Sequence, residues 1–386
     1  MNRSARRRLT AAALTAVAVT TSASACSSGS GGTGTNGADG GSYAIWDPYP
    51  QFDRTSAWAK LLDGCGTEAG VKVKRTAFDT SDLGNKTLLA AQQGNSPDVL
   101  IVDNPVVSTL AEAGVLTSTG DNKLDTSKVD PNLLAAGQSD GKVYGTPIGA
   151  NTLALYYNKK VLKAAGVDIA SVKDWTSLTA ALAKVKQAGK KGITFSAIGT
   201  EEGSFQFLPW FWGADAKLTQ LDSPQAVSAL SLWKNWLDKG YAPNSVLNNT
   251  QTTSWQEFAS GDFAFSENGT WQLANADKAG FDYGVLPIPA AAGGNAAAPT
   301  GGELVTIPVQ KDTGRYATAQ KLVSCLSNSQ NLLHTDTTLS YVAPTSDDLG
   351  TKYPKISEQM WKAVQSALSG STSPKDALTS AQSAAK

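Results

Sequence analysis

From residue 42 onward one pattern recurs along the chain: a short β-prone run, then an amphipathic helical stretch, then another run. Residues 42–46 read as a strand, and 51–64 as a helix with Phe52, Trp58, Leu61 and Leu62 on or near one face. Residues 71–75 alternate like a second strand, 87–93 are helical, 98–102 form a continuous apolar strand, and 106–113 form another helix. Such alternation predicts α/β architecture, with a parallel sheet covered on both faces by helices. Loops at the carboxyl ends of such strands carry function, which singles out Trp46, Asp47, Asp103 and Asn104.

The pattern continues through a turn and short strand at 140–147, a β-prone run at 152–158 and a helix at 160–165. Asp174-Trp175 opens a further helix. Ser223 caps another, with Pro224 in the first position, where its missing N–H costs nothing. A Gly/Ala-rich loop spans 290–302, followed by a strand at 304–307, a helix at 317–326 and a closing helical region at 353–368. There is no internal repeat, and two α/β lobes are expected.

Composition narrows the chemistry. The 386 residues are 41% hydrophobic, enough to build two cores. Lys+Arg and Asp+Glu both number 33, but Arg3, Arg6, Arg7 and Arg8 fall in the first 26 residues, which contain no acid. The remaining body is mildly acidic and has no basic run, which argues against nucleic acid. His334 is the single histidine, in a Leu-rich stretch, and no cysteine pair has zinc-ligand spacing. A structural histidine, no metal and no cofactor are expected.

Residues 1–26 have the form of a secretory signal: a basic start, a short apolar stretch from Leu9 to Thr20, and small residues leading into Cys26. The apolar part is shorter than the roughly 20 residues a spanning helix needs. Cys26 resembles the lipid-modified cysteine of a bacterial lipoprotein; cleavage at Ala23-Ser24-Ala25 is the alternative. Residues 27–41, almost wholly small and polar, read as a flexible tether. A lipid anchor at Cys26 on the extracellular face of the membrane is therefore expected, reached by general or twin-arginine export. Cys65 and Cys325 remain, and an even count outside the cytoplasm suggests a disulfide, the alternative being two buried thiols.

Several blocks resemble the extracellular solute-binding proteins of ABC importers, specifically the sugar-binding group. They are Ser96-Pro-Asp-Val-Leu-Ile-Val-Asp103, Asp140-Gly-Lys-Val-Tyr-Gly-Thr-Pro147, Leu155-Tyr-Tyr-Asn-Lys159, Phe258-Ala-Ser-Gly-Asp-Phe-Ala264, Asn268-Gly-Thr-Trp271, Gly301-Gly302 and Ala343-Pro344. They occur in family order over about 300 residues. The resemblance implies a two-lobed periplasmic-binding-protein fold of type II, its lobes joined by crossing strands that act as a hinge. One lobe would hold residues 42–151 and 302–344, the other 152–301 and 345–386. Both Cys65 and Cys325 then fall in the same lobe, which favours the disulfide. It further implies a non-enzymatic monomer that captures a mono- or oligosaccharide and delivers it to a membrane permease. A polyol or glycerol-phosphate-type solute is the alternative within the family.

A sugar requires carboxylates or amides for its hydroxyls and aromatic faces for its C–H surfaces. On the family pattern Trp271 is the stacking residue, Trp46, Asp47, Asp103 and Asn104 end the first-lobe strands, and Asn151 precedes the crossing. Glu202 and Phe205 begin an aromatic-rich helix on the second-lobe side, and Gly302 and Glu303 lie at the return crossing. A secreted carbohydrate-active enzyme is the rival from another class. The adjacent Glu201 and Glu202 do not supply the paired carboxyls across a bond that glycoside hydrolysis needs.

Overall fold

The computed structural model describes residues 41–332 and 353–385. Cys26, the tether, His334 and the Ala343-Pro344 block lie outside the described residues. The strands are β1 Ser42–Asp47, β2 Lys72–Ala77, β3 Val99–Asp103, β4 Leu116–Thr117, β5 Gln138–Ser139, β6 Lys142–Val143, β7 Thr146–Pro147, β8 Leu153–Asn158, β9 Lys191–Thr194, β10 Phe263–Gly269, β11 Tyr283–Leu286 and β12 Glu303–Pro308. The helices are α1 Ala57–Ala69, α2 Thr80–Gln93, α3 Asn104–Glu112, α4 Pro131–Ala135, α5 Lys159–Ala164, α6 Trp175–Gln187, α7 Glu201–Gly213, α8 Pro224–Asp238, α9 Gln251–Ala259, α10 Leu273–Ala276, α11 Tyr316–Leu326, α12 Ser329–Leu332, α13 Tyr353–Leu368 and α14 Pro374–Ala385.

Two larger sheets result. The first runs β2-β1-β3-β12-β4, with β7 also paired to β12, and the second runs β11-β8-β10-β9. The sheets are mixed rather than wholly parallel as expected. β1 is parallel to β2 and β3, but β12 is antiparallel to β3, β4 and β7, and β8 is antiparallel to β10 and β11. The reason is connectivity: the chain leaves the first sheet at residue 147 and re-enters it from the second at 303, so the returning strand runs the opposite way.

Local signals place several helix ends. Ser223 accepts the N–H of Ala226 and Pro224 is the first helical residue, as its sequence predicts. α1 starts later than the apolar pattern suggests, because Ser56 caps it by accepting the N–H of Ala59 while Asp53 closes a turn onto Thr55. Phe52 therefore lies in the preceding turn, not on the helix.

One core packs β8–β10 against α6, α7 and α8, and the C-terminal α13 and α14 contribute Met360, Val364 and Leu378 to it. The first sheet has a core on each face, one around Ile45, Ile101 and Trp58, the other around Leu100, Val102 and Leu110. Trp210 meets Trp236 edge to face at 5.1 Å. Three buried indole N–H groups find acceptors, Trp58 on Asp47 at 3.1 Å, Trp175 on the Pro289 carbonyl at 2.9 Å and Trp236 on Thr179 at 3.0 Å, whereas the N–H of Trp233 has none. A disulfide joins Cys65 of α1 to Cys325 of α11 beside the first sheet.

Candidate functional site

The two sheets are connected where residues 148–153 and 299–304 run side by side. Asn151 and Gly301 exchange backbone hydrogen bonds, N to O at 3.0 Å and back at 2.9 Å. Ile148 N–H donates to Glu303 O at 3.0 Å, and the Thr152 hydroxyl donates to Pro299 O at 2.9 Å. Gly302 has φ +140°, and a Cβ there would lie 2.3 Å from the Gly149 carbonyl oxygen, so only glycine lets the two segments approach this closely. Gly302 shapes the crossing through its backbone.

This crossing brings strand ends together. Glu303 opens β12 directly opposite Asp103, which closes β3, so the two carboxylates stand on neighbouring strands at one register position. The Tyr49 hydroxyl donates to one Glu303 oxygen, while Glu303 Oε2 is shut from water with no protein donor. Asn104 anchors the loop: its backbone N–H donates to Gly302 O at 3.0 Å and its amide donates to Thr300 O at 3.3 Å. Asn151, 8% exposed, leaves its side-chain oxygen unpaired, as does the hydroxyl of Thr300.

The second sheet's side is formed by the start of α7. The ring of Phe205 reaches Gly301, where a Cβ would lie 2.8 Å from Cζ and 2.2 Å from the Asn151 oxygen. Glu202 accepts the N–H of Gln251 at 2.7 Å. Glu201 turns toward α13 instead, taking hydrogen bonds from Tyr353 at 2.9 Å and from Ser357. Trp271 follows β10, with its ring over Gly269; a Cβ there would lie 1.9 Å from the indole. The glycine is the seat of that ring.

Of the ten tryptophans, Trp58, Trp175, Trp210, Trp233, Trp236 and Trp255 are buried. Trp46, Trp212, Trp271 and Trp361 keep partly exposed faces. Trp46 stands edge-on to Phe78 at 5.0 Å.

Asp47 departs from its expected role as a ligand contact. It is 0% exposed and its two oxygens accept four hydrogen bonds, from Arg75 Nε and Nη2, Trp58 Nε1 and the Tyr49 N–H. A carboxylate so saturated has nothing left to offer a solute. It is the foundation of the loop that carries Tyr49. Tyr49, Asp79 and Thr300 are junction residues that the sequence pattern does not single out, and Glu201 joins them although the sequence points to its neighbour Glu202. Asp79 follows the end of β2, so the strand-end rule that selected Asp103 would have found it.

Among the described residues, the side-chain charges that act on one another at the junction are carboxylates. Burial pushes Asp103 well above the usual carboxylate range, and Glu303, Glu202 and Glu201 push it further. Burial raises Glu303 to about 7 against the Tyr49 hydrogen bond, and Glu201 to about 7 against those from Ser357, Tyr353 and Ser204. Glu202 is raised by burial and by Asp79.

A carboxyl whose folded pKa exceeds its unfolded value of about 4.5 binds more protons when folded. It stabilises the fold most below that value and loses the contribution as pH rises to about 7. Glu201 and Glu303 together should make the ligand-free protein several kcal/mol less stable at pH 8 than at pH 5, each contributing at most about 3 kcal/mol. Calorimetric melting across that range checks this, and Glu303→Gln should flatten part of the slope. A profile that is flat or rises toward pH 8 would overturn the assignment.

Two sheets of this topology, joined by paired crossing segments with aromatic and polar groups gathered where they meet, define a periplasmic-binding-protein fold of type II. The chain belongs to the bacterial extracellular solute-binding protein family, whose profile matches residues 60–366. That family is one of binding proteins rather than enzymes. The chain is 28% identical over 357 residues to the maltooligosaccharide ABC transporter solute-binding lipoprotein of Streptococcus pneumoniae, covering 82% of this chain and 81% of that one. Its fold is similar to maltose-bound MalE3 of T. maritima, with a TM-score of 0.80 at 20% identity over 89% of this chain and 99% of that one. UgpB of Mycobacterium tuberculosis, solved with glycerophosphocholine, also shares the fold, with a TM-score of 0.72 at 22% identity over 89% of this chain and 96% of that one.

Proposed function

We propose that the protein captures a mono- or oligosaccharide at the junction of two lobes and hands it to the permease of an ABC importer. The lobes would be residues 42–151 with 302–344, and 152–301 with 345–386, closing about the paired crossing segments. A lipid on Cys26 would hold the monomer to the extracellular face of the membrane, with residues 27–41 as its tether. The observation that carries the saccharide reading is the pairing of unpartnered oxygens with open aromatic faces. Glu303 Oε2, the Asn151 amide oxygen and the Thr300 hydroxyl lack protein partners, while Trp46, Phe205 and Trp271 keep partly exposed rings. Hydroxyls satisfy the first set and C–H faces the second. Asp103, Asn104 and Glu202 complete the proposed contacts, and Gly302 shapes the backbone beneath them.

The maltooligosaccharide specificity of the pneumococcal relative supports the same reading. A glycerol-phosphate-type solute, such as the one bound to UgpB, is disfavoured by carboxylates that would repel a phosphate.

Titrating the intrinsic tryptophan fluorescence of residues 27–386 with maltose, maltotriose and longer maltodextrins should give a saturable change. Trp271→Ala should weaken binding by about 2 kcal/mol, roughly thirtyfold, by isothermal calorimetry in protein that still unfolds in one cooperative transition. No response to any saccharide, with melting temperatures unmoved, would sink the proposal.

A further inference from the structure

Hydroxyl groups alone do not account for the electrostatics of this junction. Asp103 and Glu303 face each other across β3 and β12, and Glu201 and Glu202 act on Asp103 from the start of α7. Asp79 acts on Glu202. Among the described residues, no Lys or Arg acts on Asp103, Glu201, Glu202 or Glu303. Arg75, the cation of the adjoining loop, is spent on Asp47 and on the carbonyls of Tyr49 and Phe52.

Buried carboxylates without a counter-charge are costly, and a neutral hydroxyl satisfies their lone pairs without cancelling their charge. A resident metal ion is a poor answer, because among the described residues no group of three or more His, Cys, Asp or Glu is placed to hold one. The Asn151 amide oxygen is a further acceptor. It is unpartnered, on a residue 8% exposed, and points to the side of Gly301 that the Phe205 ring reaches. The pattern is a surplus of acceptors and negative charge beside aromatic faces, which suits an ammonium group: three donors, one positive charge and an affinity for ring faces.

We propose that the solute bound here is a saccharide carrying a protonated amine in place of one hydroxyl, with the ammonium seated between Asp103 and Glu303 and the remaining hydroxyls spread toward Asn151 and Glu202. This rests on the carbohydrate reading above and names its charge class.

The test is calorimetric titration of residues 27–386 at pH 8.0 and pH 5.5. The probes are maltotriose, a set of its mono-amino-deoxy derivatives with the amine at successive positions, and 1,4-diaminobutane. One aminated derivative should bind at least about tenfold tighter than maltotriose at pH 8.0. The advantage should shrink at pH 5.5, where the carboxyls take up protons. Glu303→Gln should weaken the best aminated derivative at least about tenfold more than it weakens maltotriose, so that most of the preference is lost.

Aminated derivatives that bind no tighter than maltotriose would overturn the inference and leave the carbohydrate reading standing. Failure of maltotriose and all its derivatives to bind would overturn both. A diamine as tight as the best aminated sugar would show that the hydroxyls contribute nothing, and would overturn the proposed saccharide.

Discussion

Arg75→Ala is expected to destabilise the protein by about 3–5 kcal/mol, the cost of stranding a buried carboxylate. Asp47 is fully buried, and the guanidinium meets it through Nε at 2.5 Å and Nη2 at 2.9 Å. The same group donates to the Tyr49 carbonyl at 2.6 Å and the Phe52 carbonyl at 2.5 Å, so its loss also orphans the loop after β1. Arg75→Lys should recover only part of this, because an ammonium cannot reproduce the planar fork. Arg75→Met with Asp47→Asn should cost less than Arg75→Ala alone, since no charge is left unpaired. Urea unfolding midpoints measure all three. A loss below about 1 kcal/mol for Arg75→Ala would place the pair among ordinary surface bridges. The loop also carries Tyr49, which holds Glu303, so Arg75→Ala should weaken solute binding without touching the solute.

Removing the disulfide should produce the second large effect. Cys65 and Cys325 are 260 positions apart in sequence, and closing so long a loop restricts the unfolded chain by about 5 kcal/mol in the loop-entropy treatment. The expected loss for Cys65→Ala with Cys325→Ala is about 3–5 kcal/mol, part of it from packing, since both residues are buried. Comparing oxidised and reduced wild type separates the two parts, because reduction leaves the side chains in place. Affinity for solute should change less than about twofold in protein that remains folded, as neither cysteine stands at the junction. An unchanged unfolding midpoint on reduction would mean the bond does not form in solution.

The residues differ in how much of their role could be read in advance. The Ser223-Pro224 helix start and the apolar β3 strand follow from local steric and hydrogen-bond rules and appear where expected, whereas α1 starts later and α2 earlier than the alternating runs suggest. β10 was passed over as a strand because all seven of its residues are buried, including Ser266, Glu267 and Asn268. A strand enclosed on both faces has no alternation to detect. Glu267 is tolerated there because Trp210 donates to it at 2.6 Å, and burial holds its carboxyl well above the usual range. α14 was missed for the opposite reason: its residues are mostly small and polar, and it is held by Leu378 packing into a core assembled from distant segments.

The contrast between Asp47 and Asp103 marks the limit. Both close a strand of the first sheet at its carboxyl end, and their sequence surroundings gave them equal standing. Arg75, 28 positions away in sequence, saturates the first. Across from the second stands Glu303, 200 positions away, and among the described residues no cation offsets either charge.

The sequence alone determined the α/β class, several helix starts and the family blocks, because these depend on side-chain periodicity, caps and turns within a few residues of one another. Only the tertiary structure decided that β12 returns antiparallel, which acids meet a cation and which meet another acid, and which four tryptophans keep open faces. Those outcomes depend on which distant segments meet, and charge pairing and burial are properties of that meeting, not of the residues taken singly.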